Sequence, residues 1–493
     1  MPSNIFLHLT YLAEDQGSSI ALYDTDGTKL SYSELLRHVN HTIYSLHDSG
    51  ITRLLVVSNN SIDSAILFLA SLCSGIEYCP IAHDSTKQEM LEAVSKIKPN
   101  GVFSDLNFGD ILDRDFGLIK TFQISLDIPS LVDEIDLKNE IIYPGRLIIS
   151  TSGSEGSPKK LVINGDVLWN SAAAFKTFYR LDKNLNFWNF LPMSYLGGLY
   201  NLLLIPLATG GSILIDKGFN GLTLLNFWKT VQNEKITVLW LVPTILRALI
   251  RLNKNSESKQ KSDLIRWVFI GTAPLSESER NVWKEMFNLP LLENYGLTET
   301  TFIFCEPRPD NHEPKKLNLN EWVFPGVEIR FSGPSKNEIE VRTPYLFEGY
   351  LSDSNGITPI SRDDFFKTGD LGRFTDNRFV IEGRLKDVIK KGGLLINLAE
   401  MDLRFRQIIS NECICSSMDD QFYGENYELL VLEPFDEFEL NQLVEFIKGN
   451  LRKSIWPKQI RILPKFVYTS SGKLIRKQGQ AQDISLSTVH KIQ

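Results

Sequence analysis

Residues 147–163 read LIISTSGSEGSPKKLVI. The apolar runs Leu147-Ile148-Ile149 and Leu161-Val162-Ile163 bracket a segment of Gly, Ser and Thr that closes on Pro158-Lys159-Lys160. β-Branched and apolar residues suit a buried pleated ribbon, and Gly153 and Gly156 let the backbone turn where side chains would block it. The stretch therefore reads as strand, loop, strand. A loop of small residues turns several N–H groups toward one point. The hydroxyls of Thr151, Ser152 and Ser154 add donors and Lys159 adds a positive charge, which together make a phosphate cradle in kind. No G-x-x-x-x-G-K-[ST] occurs there, so it is not a Walker A loop. Taken alone, a Ser/Gly surface hairpin explains the same composition.

Upstream, Ile20 to Leu30 reads as a hairpin around Asp26-Gly27. Ser31 and Glu34 have the spacing of a capping box that opens a helix through Leu35, Leu36 and Val39. Strands are expected at Leu54–Val57, Tyr78–Ile81, Gly101–Phe103 and Leu118–Phe122, with a helix at Ser61–Ser74. This alternation is that of a layered α/β body. Downstream, helices are expected at Asp166–Tyr179, Thr244–Leu252 and Ser276–Phe287. Strands are expected at Phe187–Leu191, Ile236–Leu241 and Leu264–Ile270, and a short strand should lead to Asn294-Tyr295-Gly296. Val327 to Val341 alternates as antiparallel strands do, and Phe379–Glu382 reads as a strand. Beyond it the chain restarts as strand, helix, strand, strand, helix, strand. The expected fold is thus α/β: a large N-terminal body of layered sheets with a small antiparallel β region (1–385), then a small α+β C-terminal domain (386–493).

The chain has 493 residues, enough for roughly three domain-sized units. Its net charge of −8 provides no basic field for nucleic acid or an anionic membrane. Five cysteines, an odd number with no C-x-x-C pair, point to a reduced, cytoplasmic setting. The N-terminus lacks a basic n-region and a long apolar run, so no signal peptide is expected. Phe187 to Ile215 carries no charge and is long enough to span a bilayer. Pro192, Gly197-Gly198, Pro206 and Gly210-Gly211 break it into loop, helix and strand, the punctuation of a buried core passage.

Several polar clusters fall near strand ends, where ligands sit in open α/β sheets. Gly271-Thr272-Ala273 has little bulk, so a flat ring could lie on its backbone. Asn294 offers a donor and an acceptor to a ring edge, and Tyr295 a face to stack on. Glu299 is a hard oxygen ligand of the type Mg²⁺ takes when shared with phosphate. Thr368-Gly369-Asp370 places a carboxylate after a tight turn, suited to the two hydroxyls of a ribose. Arg384 and Lys473 are cations in glycine-marked turns. Each also has a plain reading: a solvated helix start, an N-cap, a surface ion pair, a turn lysine.

In this order, LIISTSGSEGSPKK, NYGLTET, KTGDLGRF, GRLKDVIKKGG and TSSGKLIRK resemble the core motifs of the adenylate-forming superfamily: acyl- and aryl-CoA synthetases, peptide-synthetase adenylation domains and luciferases. Leu30 to Leu35 resembles its N-terminal motif. The resemblance implies that a carboxylate attacks the α-phosphate of MgATP, giving acyl-AMP and pyrophosphate, and that a thiol then takes the acyl group. It implies that Thr151 to Lys159 hold the outer phosphates, and that Thr298 and Glu299 serve phosphate and Mg²⁺. Asn294, Tyr295 and Gly296, with Gly271, Thr272 and Ala273, would hold adenine, and Asp370 and Arg384 ribose. Lys473 would stabilise the transition state from the mobile small domain, which swings about Lys386, while the Lys391-Gly392-Gly393 loop faces the thiol. The thiol is that of CoA or of a separate acyl or peptidyl carrier protein's phosphopantetheine. A non-catalytic relative that kept the fold is the third reading.

Three positions depart from the pattern. Glu155 stands where Thr or Ser is usual and Lys160 where Gly is usual. A carboxylate about 4 Å from a phosphate charge costs roughly 4 kcal/mol at an effective dielectric near 20. Tyr195, shortly before Gly198 on the acid side of the site, replaces the His common in CoA ligases. No Asp is present there to hold an α-amino group, which points to an aryl or small-to-medium acyl acid.

Overall fold

The computed structural model describes residues 4–105, 120–121, 143–150, 159–253, 263–272, 275–308, 319–333, 337–352, 356–375, 378–391, 393–409, 411–468, 474–476 and 488–491. The expected α/β architecture is what forms. Among the described residues four sheets are present. The first runs in space as Thr301–Cys305, Leu292–Leu297, Trp267–Ile270, Val238–Leu241, Asn186–Asn189, Ser212–Ile215, Ile20–Asp24 and Lys29–Ser31. Its interior pairings are parallel, and its two edge strands are antiparallel. Val238–Leu241 and Trp267–Ile270 are buried at every residue. A parallel strand covered on both faces calls for such an unbroken apolar run.

The second sheet contains the opening stretch. Arg146–Ser150 and Lys160–Asn164 pair antiparallel with Ile148 opposite Val162, the strand–loop–strand expected. Glu77–Ile81, Arg53–Val57 and Gly101–Ser104 continue the sheet in parallel, with Lys120–Thr121 at its edge. The two large sheets share one hydrophobic core, which also takes in Ile339, Val341 and Phe379 from the third. That third sheet is antiparallel: Glu328–Ser332, Glu338–Arg342, Phe366–Thr375 and Arg378–Arg384. The fourth, from Val388 onward, has a core of its own around Phe405, Tyr427, Leu429, Ile447 and Ile460.

Three local expectations are corrected. The C-terminal region opens with a hairpin, Val388–Lys391 and Leu394–Asn397, where one strand was expected. Asp370 lies within the Phe366–Thr375 strand rather than after a turn. Gly369 at φ +69° bends that strand without interrupting it. Asn294 and Tyr295 are likewise inside a strand, because Thr301–Cys305 returns alongside and pairs with it. The uncharged passage after Phe187 folds inside the core as Asn186–Asn189, a π-helix Gly197–Leu204, Ile205–Thr209 and Ser212–Ile215. Among the described residues no helix is long and apolar enough to cross a membrane.

Candidate active site

The parallel strands of the first sheet end in a row of backbone irregularities. Trp267–Ile270 runs into Gly271 and then Thr272, a β-branched residue held at φ +77°. Its neighbour Leu292–Leu297 bears Asn294, Tyr295 and Gly296. A side chain at Gly296 would put its Cβ 1.8 Å from the Thr301 carbonyl oxygen, so this hairpin closes only around glycine. Asn294 is buried, and its amide oxygen accepts from the Tyr179 hydroxyl at 2.9 Å.

Tyr295, Asp370 and Arg384, distant in sequence, meet at one point. The Tyr295 hydroxyl donates to Asp370 Oδ2 at 2.8 Å. Asp370 and Arg384 face each other across the Phe366–Thr375 and Arg378–Arg384 strands, with Arg384 Nε 2.9 Å from Oδ1. That contact is an ion pair off the angle of a hydrogen bond, and Oδ1, on a residue 3% exposed, has no hydrogen-bond donor among the described residues. A buried carboxylate oxygen with an open lone pair is the acceptor a ribose hydroxyl would satisfy. Burial first, and the Asp370 charge second, push the Tyr295 phenol well above its usual range. It therefore stays a donor at any ordinary pH.

Thr298 and Glu299 occupy the tip of the adjoining hairpin. The Phe347 N–H donates to the Glu299 carbonyl at 2.8 Å, pinning the tip from outside. Thr300 braces it within, its hydroxyl accepting from the Leu297 N–H at 3.3 Å. At the foot of the opening loop, Lys160 donates to Ser150 Oγ at 2.6 Å, tying the two strands together where they diverge. Burial lowers the Lys160 ammonium below its usual range. Lys159 is exposed, with its ammonium 5.3 Å from the Tyr350 ring. The half-buried Tyr195 phenol is pushed up to about 12 by burial and the charges of Asp84 and Glu89. The Gly198 carbonyl accepts from the Asn189 side-chain amide at 3.0 Å.

Lys386 is exposed within the turn Leu385–Asp387, directly after Arg384. Just beyond, Asn397 caps the Leu398–Arg406 helix and donates to the Glu382 carbonyl at 2.9 Å. Thr151, Ser152, Gly153, Ser154, Glu155, Gly156, Ala273, Gly392 and Lys473 lie outside the described residues.

The sequence matches the AMP-binding enzyme family over residues 9–351. The chain belongs to that family. It is the one the ordered motifs resemble. Among curated relatives, 2-succinylbenzoate–CoA ligase of Staphylococcus aureus (strain JH9) is 25% identical over 500 residues, covering 94% of this chain and 98% of its own. Among solved structures, ATP-bound MatB from Rhodopseudomonas palustris superposes with a TM-score of 0.82 at 22% identity, over 98% of this chain and 100% of that one. The o-succinylbenzoate CoA synthetase of Bacillus subtilis, in complex with its acyl-adenylate intermediate, gives a TM-score of 0.77 at 18% identity, over 98% and 99%. At such identities the structural likeness shows the fold.

Two features of this AMP-binding enzyme are absent from the sequence reading. Arg280 holds Glu293 at 2.7 Å and Glu306 at 2.8 Å behind the strand that carries Asn294, while Glu306 also accepts from the Glu293 N–H. Tyr179, at the end of the helix after the opening hairpin, reaches Asn294 from 115 residues away. No local spacing announces either contact. The arginine and carboxylates each read as ordinary surface charges until the strands align them.

Proposed function

We propose that this AMP-binding enzyme joins a carboxylic acid to the α-phosphate of ATP with release of pyrophosphate, and then passes the acyl group to the thiol of CoA, breaking the acyl–phosphate bond and releasing AMP. The observation that carries the reading is the Tyr295–Asp370–Arg384 cluster, with a charged, buried acceptor left open beside a ring whose hydroxyl is already fixed. In this reading Asp370 accepts from the ribose, Arg384 lies beside that carboxylate as its ion-pair partner, and the Tyr295 ring with residues 271–273 contacts adenine. Thr298 and Glu299 take the phosphates and Mg²⁺, joined by Thr151 to Lys159. No general base is required, because a carboxylate is an ionised nucleophile at neutral pH.

Lys473 is assigned to the developing charge between carboxylate and α-phosphate, where losing one such donor costs about 3–4 kcal/mol in the transition state. We assign residues 1–385 to the body and 386–493 to the small domain, with Lys386 as the pivot between half-reactions. The acid is aryl or small-to-medium acyl, since the passage from Phe187 to Ile215 has no charge with which to hold an ammonium group. The setting is cytoplasmic, consistent with five buried, unbridged cysteines. Curated relatives named as CoA ligases support CoA as the acceptor, and a carrier-protein phosphopantetheine would use the same residues.

The test is acid-dependent ATP–pyrophosphate exchange across a panel of carboxylic acids, followed by CoA and carrier protein as competing acceptors. Exchange with at least one aryl or acyl acid is expected, and silence with every acid would leave a non-catalytic relative. Lys473→Ala should abolish exchange while the melting temperature holds. Normal acyl-AMP formation by that variant would refute the role given to Lys473.

A further inference from the structure

Beneath the hairpin tip that carries Thr298 and Glu299, three hydroxyls meet in the core. Thr301 Oγ1 lies 2.7 Å from Ser171 Oγ, and Ser171 Oγ lies 2.6 Å from the Tyr200 hydroxyl. Thr301 is 4% exposed, Ser171 0% and Tyr200 1%. Their surroundings are aromatic: the rings of Tyr200 and Phe302 are 5.5 Å apart, and Phe302 packs on Phe175, Trp240 and Phe324. Such a core gains little from hydroxyls, since replacing both partners of a buried hydrogen bond by apolar groups of the same shape is nearly neutral. What distinguishes this place is the backbone. Thr301 is held at φ +56°, a region a β-branched residue rarely adopts, and such strain persists only where the surroundings over-determine it.

The three residues come from three parts of the site. Thr301 follows the Thr298–Glu299 tip directly. Ser171 is on the Gly165–Tyr179 helix that leaves the phosphate-loop hairpin. Tyr200 is on the Gly197–Leu204 π-helix that begins after Tyr195. A π-helix is rare and concentrates at functional places. We infer that the Tyr200–Ser171–Thr301 hydroxyl chain is a positioning device: it holds Thr301 in its left-handed conformation, fixes the Thr298–Glu299 tip for Mg²⁺-bound phosphate, and ties that tip to the acid-side helix. The inference rests on the reading above that the tip serves Mg²⁺ and phosphate. Thr301 acts through its neighbours and is a positioning residue.

The experiment compares ATP binding by calorimetry, with Mg²⁺ and with EDTA, in the full-length wild type, Thr301→Val, Thr301→Ser and Tyr200→Phe. Valine keeps the branched shape and the strain but removes the hydroxyl, and serine restores the hydroxyl. Thr301→Val and Tyr200→Phe should weaken MgATP binding by about tenfold, the equivalent of one well-placed hydrogen bond. Both should change Mg²⁺-free ATP binding by less than about twofold. Thr301→Ser should bind MgATP like the wild type. A merely structural role would lower melting temperature and move both binding constants together, which would overturn the inference, as would unchanged MgATP binding in Tyr200→Phe. Should Thr301→Val fail to fold, Tyr200→Phe decides, because it leaves the strained backbone alone. Wild-type MgATP binding without pyrophosphate exchange would count against the reaction rather than against the positioning.

Discussion

Asp370 is a carboxylate whose burial makes sense with a ligand in place. Taking an ionised carboxyl out of water costs several kcal/mol unless partners repay it. Here Tyr295 supplies one hydrogen bond and Arg384, itself nearly half exposed, supplies charge without an aligned one. A ribose hydroxyl donating to Oδ1 would complete the set. Asp370→Asn preserves the shape, removes the charge beside Arg384 and leaves a single amide oxygen to accept. It should weaken ATP binding by roughly 10- to 100-fold, the range expected for a charged hydrogen bond, with a modest change in melting temperature. Titration calorimetry with ATP decides it, and wild-type affinity in the variant would remove Asp370 from the ribose. The identities of Asp370, Arg384 and Tyr295 were legible from their motifs. Their contact was not, because a motif fixes residue type and order while the pairing of Asp370 with Arg384 depends on the register between two strands.

The elements themselves were the most legible layer, since caps and periodicity act within a few residues. The capping box of Ser31 and Glu34 forms as spaced, and the Gly165–Tyr179 and Glu277–Phe287 helices lie within a residue of where their patterns place them. The π-helix gave no periodic sign, because an all-apolar run reads alike at any helical pitch. One element carries a pH prediction. On the Asn4–Gln16 helix, His8 packs against Trp169 with ring centroids 4.9 Å apart. Burial, and then the Lys176 charge, lowers it to about 4 from a usual value near 6.5. Its folded value is thus below its unfolded one, so between these two pH values the unfolded chain binds more protons. Its contribution is present above about 6.5 and is lost as pH falls toward 4. His8→Phe keeps a ring against Trp169 and removes the titration. The melting temperature of the variant should therefore fall less than that of the wild type from neutral pH to about 4, and parallel curves would exclude His8 as the source.

At the scale of the whole molecule, the largest buried cluster among the described residues spans the three sheets of the body, and the clusters on either side of the fourth sheet share no residue with it. The turning proposed about Lys386 would need a small domain with its own core, because burial shared with the body would have to be undone at every turn. The segment 474–476, immediately after Lys473, is fastened to this small core by Arg476. Its guanidinium lies 2.8 Å from Asp402 and 3.4 Å from Asp387, and donates to the Cys415 carbonyl at 2.7 Å. The two carboxylates together hold Arg476 above its usual range against the opposing effect of burial. Asp402 is 4% exposed and also accepts from the Cys415 N–H, so it depends on that guanidinium for neutralisation. Arg476→Met fills much of the same space and strands the charge, a change that costs about 3–5 kcal/mol in a buried pair. Separate cores make scanning calorimetry show two transitions, and Arg476→Met should lower one of them while the other stays in place. A single transition that shifts as a whole would mean that the two cores unfold as one cooperative unit, and independent turning of the small domain would then need another basis.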